Sequence, residues 1–419
     1  MPGRCCCGKW IGLIDRVAAC FKDRRRPDAV VHGLRTLVGQ RIVGIACGYE
    51  DVNDHDQLRF DPVLSLFSGG LEAKRKGCAA LAGKSTVNRL EHAPRRDDDR
   101  YHKIRHDAQA LETVFVDVFL DAHAEPPKEI VLDLDATDDP LHGHQEGRFF
   151  HGYYDCYCYL PLYVFCGPHL LTAKLRPANI DAAAGATEEV ARLAGRIRAR
   201  WPRVRIVLRA DSGFAREALM AWCERNRVDY VLGLARNSRL LEELAIDLAW
   251  DEDEHQRTGK PVRRYKDFRY RTRNSWSRRR RVVGKAEHLA KGANPRFVVT
   301  SLKRRDIDAR TLYERIYCAR GEMENKIKEC QLDLLGLRPA SRSRPHLHGH
   351  HEGKPAPAVV LLLRLRSDRG PAADRPRPYR TGQRHLRHDP PRALKDRGAG
   401  HRLGPADQDC HCLGVPLPG

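Results

Sequence analysis

Four carboxylates stand where their surroundings suit chemistry. Asp133 and Asp135 lie in the short β-rich run EIVLDLDA, Asp211 ends a second such run in LRADSGF, and Glu324 sits in the helical stretch RGEMENKIKE. Burying a carboxylate is costly unless it is paired or binds a metal, and strand ends are where sheet-based sites collect their ligands. Arg320 and Lys328 lie four residues either side of Glu324, so all three share one helix face. Carboxylates from two strand ends and one helix can hold two divalent ions, which activate an attacking oxygen and stabilise a leaving one in phosphoryl transfer. Hard oxygen donors of this kind suit Mg2+, with Mn2+ able to substitute. Each position also has a plain structural account. An Asp at a strand end is often a cap or turn residue, and an Arg-Glu-Lys face is often a surface ion-pair ladder. Spacing alone leaves Asp133 and Asp135 both open.

The elements that position these residues follow from periodicity. EIVLDLDA predicts a strand, and YYDCYCYLPLYVFC is long enough for two paired strands. A helix is expected behind a Thr187 cap, with Val190, Leu193, Ala194, Ile197 and Trp201 on one face. Val204, Ile206 and Leu208 alternate in a strand running into Asp211. A helix over Phe214 to Asn226 and the strand VDYVLGLA complete an α/β layer with a mixed sheet flanked by helices, over 126–334. Within it, 236–305 is charged and interrupted and predicts a β-rich insertion, whose basic patches around Arg278 to Arg281 suit a DNA backbone.

Residues 1–125 predict helices. Ile11, Ile14, Val17, Ala18 and Phe21 recur at helical spacing, and Pro27 breaks the pattern before a second apolar stretch, Val30 to Ile45. In LAGKSTVNRLEH, Ser85 can cap a short helix carrying Thr86, Asn88 and Arg89, similar to the reading helix of a helix-turn-helix; an ordinary polar face is the alternative. GKST is no phosphate loop, because Cys78 stands where the required Gly belongs and no strand precedes it.

Composition narrows the partner. There are 75 Lys and Arg against 55 Asp and Glu, a net charge of +20, which favours a polyanionic partner. Nucleic acid is the usual one, and no basic amphipathic helix stands out to support the competing reading, an anionic membrane surface. A solvated Arg-rich surface is the bland alternative. No apolar run approaches the roughly 18 residues a membrane span needs, and no signal-peptide pattern opens the chain, so no membrane partner and a cytoplasmic site are expected. The 14 cysteines are scattered rather than spaced as a disulfide framework. Cys156 and Cys158 alternate on one strand and are expected to share a core face. Residues 335–419 differ in character: from 338 onward they hold 12 of the 25 prolines and 8 of the 20 histidines, with Tyr379 as the one aromatic. Such a segment cannot bury enough apolar surface to offset its chain entropy, so a disordered tail is expected.

IVLDLDATDDPLHGHQEGRFFHGYYDCYCYLPLYVF, LRADSGFAREALMAWCE and YCARGEMENKIKECQLDL resemble the DDE transposases of bacterial insertion sequences, from about residue 10 to 334. The resemblance implies an RNase H-like catalytic core. Asp135, from the family's Asp-x-Thr element, becomes the first metal ligand, Asp211 the second, and Glu324 the third, within a signature formed by Tyr317, Arg320 and Glu324. The family's Lys, seven residues past the Glu, falls on Gln331, which leaves Lys328 to serve. Asp133 stays as the substitute for Asp135. The resemblance further implies binding of double-stranded DNA at terminal inverted repeats, strand cutting, joining of 3′-hydroxyls to target DNA, phosphate or flipped-base contacts from Arg320 and Lys328, a DNA contact from Tyr317, a homodimer on DNA and a nucleoid-associated location. His142, His144, His151 and His169 are expected as turn or DNA-contact residues. The likeness stops near Leu335, where a frameshift would produce Pro-, Arg- and His-rich text and remove the segment that braces the helix of Glu324. The alternative functions are a non-catalytic DNA-binding remnant acting as a repressor, and an RNase H-like nuclease on other nucleic acids.

Overall fold

The N-terminal apolar residues recur every three or four positions and form helices accordingly. In the computed structural model, which describes residues 6–49, 51–70, 76–92, 103–140 and 148–334, these are α1 (Cys6–Ala19), α2 (Leu34–Ala46), α3 (His55–Leu58), α4 (Pro62–Ser68), α5 (Lys84–Glu91) and α6 (Ala108–Asp121). A ribbon of β1 (Phe21–Asp23) and β2 (Ile104–His106) joins the start of this group to its end. Ile14, Leu37, Ile42, Val87 and Leu111 share one buried cluster. Inside it, the fully buried Arg41 pairs with Glu91, and Gln40 donates to the Ala82 carbonyl at 2.7 Å. α5 starts after Gly83 rather than on the expected Ser85 cap. The Asp56 carboxylate accepts the Lys84 amide at 3.0 Å and does the capping from another element. The expected tail at 335–419, with His142 and His144, lies outside the described residues.

The sheet is built from β3 (Glu129–Ala136), β7 (Leu162–Cys166), β8 (His169–Lys174), β9 (Arg205–Ala210), β10 (Val228–Leu234), β11 (Val262–Tyr270), β12 (Arg280–Leu289), β13 (Gly292–Ala293) and β14 (Arg296–Thr300). Its order is β11-β12-β14-β10-β9-β3-β7-β8, with β13 beside β12. β3, β9 and β10 run parallel, and the flanking pairs are antiparallel. A separate small sheet holds β4 (Asp139–Pro140), β5 (Phe149–His151) and β6 (Cys156–Tyr159). The two strands expected to pair within YYDCYCYLPLYVFC therefore do not. Pro161 lacks the amide a ladder needs, and the chain leaves the small sheet at Tyr159 and enters the large one at Leu162.

The helices of this half are α7 (Ala186–Arg200), α8 (Glu217–Arg225), α9 (Ser238–Thr258), α10 (Ala309–Thr311) and α11 (Gly321–Leu334). α7 begins after Gly185 rather than on a Thr187 cap. The segment expected as a β-rich insertion opens with α9, a 21-residue helix capped by Asn237 and ended by Gly259 in the left-handed region. Its Leu240 and Leu244 are buried, a helical spacing masked in the sequence by the charges between them. The strands that follow extend the main sheet instead of forming a separate unit. One sheet face meets a core that includes Leu132, Leu134, Val190, Leu193, Ile206, Leu208, Leu219 and Leu240. The other carries Val207, Val231 and Val298 with Leu312 and Tyr313, and Tyr163 and Phe165 with the N-terminal helices. No helix among the described residues is long and apolar enough to cross a membrane.

Candidate active site

Side chains alternate along a strand. On β3, Leu132 and Leu134 enter the larger core, so Asp133 and Asp135 share the opposite face. On the parallel neighbour β9, Leu208 and Ala210 do the same and leave Arg209 beside Asp133, with Asp211 just past the strand end. Arg209 grips Asp133 through Nε–Oδ1 at 2.6 Å and Nη2–Oδ2 at 2.7 Å. Its Nη1 donates to the Ile316 carbonyl at 2.7 Å. Burial raises the Asp133 pKa above the ordinary carboxylate range, more than Arg209 draws it down.

Asp135 accepts the Ala136 amide at 2.9 Å and faces Arg320 Nη1 at 3.6 Å. Burial pushes its carboxyl up to about 7; Arg320 opposes the shift, while the charges of Asp211 and Glu324 add to it. Asp211 accepts the Gly213 amide at 2.9 Å and caps a single tight turn, Ser212–Phe214. Opposite it on β10 stands Gly233. A Cβ there would lie 2.6 Å from Tyr317 Oη, 2.8 Å from Ser212 N and 3.1 Å from Asp211 C. The absence of a side chain lets Tyr317 lie against the Asp211 turn. Sequence reading passed over Gly233, although a lone Gly inside a strand such as VDYVLGLA signals close approach of another group.

The chain reaches Glu324 through a widened turn, Leu312–Tyr317, and a tight one, Cys318–Arg320, before α11. Such π-type turns are uncommon outside functional segments. Arg320 Nη2 lies 3.1 Å from Glu324 Oε1, so one guanidinium spans Asp135 and Glu324. Burial works against that cation, but Asp135, Tyr317, Asp211 and Glu324 hold its pKa above the ordinary value. Met323 and Ile327 are buried in the cluster shared with the N-terminal helices, while Glu324 and Lys328 are exposed. Lys326 donates to the Gly167 carbonyl at 2.5 Å. This face of α11 therefore packs against the N-terminal helices and β7–β8.

Tyr317, Arg320, Asp135, Asp211 and Glu324 are brought together. Thr86, Asn88 and Arg89 lie on α5 in the N-terminal group, with Asn88 and Arg89 exposed, and form no part of the carboxylate cluster. Of the run Arg278 to Arg281, the first two are exposed and the last two are buried in ion pairs. Arg280 is buried between Glu217 and Glu224 at 2.6 and 2.8 Å, Arg281 is buried on Asp267, and Arg278 pairs with Glu224. Cys158 is fully buried and Cys156 packs beside it, as their alternation predicted. Among the described residues, no three His, Cys, Asp or Glu side chains stand close enough to hold a metal. Asp135 and Asp211 nonetheless have the donor chemistry a hard divalent cation takes, and such a cation would offset the burial and, to a lesser degree, the like charges that raise Asp135.

Adjacent parallel strands that deliver carboxylates to one face, under a helix that adds a third, define a mixed α/β protein with an acidic site at its strand ends. The profile of the family described as "Transposase DDE domain group 1" matches residues 7–344, and the chain belongs to that family. The match runs ten residues past Leu334. Among solved structures, the chain is similar to a piggyBac transposase in a synaptic complex with hairpin DNA, at 12% identity and a TM-score of 0.35, covering 79% of this chain and 66% of that one. No curated protein matches the sequence.

Proposed function

We propose that this chain is the transposase of a bacterial insertion sequence, binding its terminal inverted repeats and catalysing metal-dependent DNA cleavage and strand transfer. The observation that carries the proposal is that Arg320 spans Asp135 and Glu324 at 3.6 and 3.1 Å, in the field of Asp211, in a chain of this family. An RNase H-like core is supported by the meander β3–β7–β8 continued by parallel β9 and β10. In this reading residues 126–334 form the catalytic domain and 1–125 the helical DNA-binding region.

Asp135, Asp211 and Glu324 would hold the metal. Mg2+ at this site supplies activation of the attacking oxygen and stabilisation of the leaving one. Arg320 and Lys328 grip phosphates beside the cut, and Tyr317 fixes the Asp211 turn. Thr86, Asn88 and Arg89 read repeat and target DNA. The +20 charge favours that partner, and a homodimer on paired ends in a bacterial cytoplasm, at the nucleoid, completes the picture.

The second reading, a non-catalytic DNA-binding remnant, is favoured by one observation: Arg320 spans Asp135 and Glu324, and the three carboxylates do not close on one point. Incubating the full chain with duplexes bearing the element's own ends, in Mg2+ and in chelator, separates the two. Nicks at the repeat ends that require Mg2+ support the enzyme. Retarded DNA without Mg2+-dependent nicks supports the remnant.

A further inference from the structure

The small sheet beside Asp135 has two unlike faces. Its inner face carries Cys158, which is fully buried with Leu160 and Ala178, and Cys156, Tyr154 and Ala136 pack against that cluster. Ala136 is the residue after Asp135, so the small sheet is seated directly on the strand end of the acidic site. Tyr154 lies within the field of Asp138, Asp135 and Asp211. The outer face is aromatic and open. Phe150 is 52% exposed and lies directly across from Tyr157, which is 50% exposed. Their rings meet edge to face at 5.6 Å. Arg148, two residues before Phe150 and on the same face, lies 4.6 Å over the Tyr157 ring. At the tip, Tyr153 is 72% exposed and meets Tyr154 at 5.0 Å.

Rings held half-exposed on a strand pair forgo burial that a core would give them. A guanidinium stacked on one of them adds a cation whose plane can also cover a base. Together they form a stacking platform with a charge for the backbone, the combination that takes unpaired nucleotides. A paired duplex hides its base faces; only a frayed, nicked or extruded base exposes one, and such bases arise where strands are cut.

We infer that the outer face of the small sheet, Arg148, Phe150 and Tyr157, with Tyr153 at its tip, is a binding site for unpaired DNA bases next to the acidic site. The inference rests on the transposase reading for its source of unpaired DNA, but its test does not depend on cleavage. Phe150→Ala with Tyr157→Ala in the full chain is compared with the parent on two probes in chelator: a blunt mixed-sequence duplex, and the same duplex with a single-stranded 3′ tail carrying a fluorescent adenine analogue. Because both rings are half-exposed, the variant is expected to melt within a few degrees of the parent, which a thermal scan checks. The inference requires the variant to bind the tailed duplex at least about five-fold more weakly, with loss of analogue quenching, while blunt-duplex affinity stays within about two-fold. Phe150→Trp with Tyr157→Phe is expected to keep both. Equal weakening on the two probes, unchanged binding to the tailed one, or a change in sedimentation alone that marks the face as a contact between copies, overturns it. If the transposase reading fails, cleavage is absent while the preference for the tailed probe persists.

Discussion

Asp133 and Arg209 close a two-pronged ion pair across adjacent parallel strands, at 2.6 and 2.7 Å. This pair separates two aspartates that spacing alone left open. Asp133 is occupied by Arg209, and Asp135, on the same face two residues on, is left to Arg320 and the other carboxylates. Arg209 also holds the Ile316 carbonyl, and so anchors the widened turn that leads to Tyr317, Arg320 and Glu324.

Removing one partner of such a pair strands a buried charge. Arg209→Met is expected to lower the unfolding free energy by about 3–5 kcal/mol, measured by chemical denaturation. The double variant Asp133→Leu with Arg209→Met is expected to recover most of that loss, since an apolar pair of similar volume is tolerated. It lacks the bond to Ile316, so DNA cleavage is expected to remain low. Recovery of cleavage together with stability would show that Arg209 positions nothing.

Gly233→Ala is expected to disturb the Asp211 turn, because its Cβ would meet Tyr317 Oη, Ser212 N and Asp211 C within 3.1 Å. Two of these atoms are backbone and have little room to yield. A loss of about 1–3 kcal/mol follows from overpacking of this kind, with cleavage falling further than DNA binding. A variant as stable and as active as the parent contradicts the close approach of Tyr317.

Much of this arrangement was legible in the sequence. The β-rich run EIVLDLDA pointed to the strand that carries Asp133 and Asp135, and the four-residue steps from Arg320 through Glu324 to Lys328 placed all three on one helix face. What was hidden depends on partners remote in the chain. Asp133 and Asp135 look alike until β9 brings Arg209 alongside the first, 76 residues away. Arg280 reads as a surface cation until α8 presents Glu217 and Glu224 to it. The pairing of β6 was misread because strand propensity does not show that Pro161 divides one apolar run between two sheets. The cover over Met323 and Ile327 could not be anticipated from local pattern either, as it comes from the opposite end of the chain.

His55 gives the N-terminal helices an acid limit. It is fully buried, with Gln40 Nε2 at 3.0 Å from its Nδ1. Burial first, and then the charge of Arg41, hold its pKa down at about 4, against 6.5 when unfolded. Unfolding therefore takes up a proton between those values. The stability contributed by neutral His55 is complete above pH 6.5 and is lost as pH falls toward 4, at about 1.4 kcal/mol per pH unit. His55→Gln is expected to show a correspondingly shallower decline over that range in denaturation curves. An identical slope in parent and variant excludes His55 as the group responsible.

Asp211→Asn is the most direct test of the carboxylate site. An Asn oxygen can still accept the Gly213 amide, so the turn survives while the charge is removed. Cleavage of duplexes carrying the element's ends, measured in Mg2+ beside retardation of the same DNA, is expected to fall by a factor of about 1,000 or more with binding within about two-fold of the parent. Cleavage at the parent's rate in the variant, with Mg2+ still required, would contradict a catalytic site built on Asp135, Asp211 and Glu324.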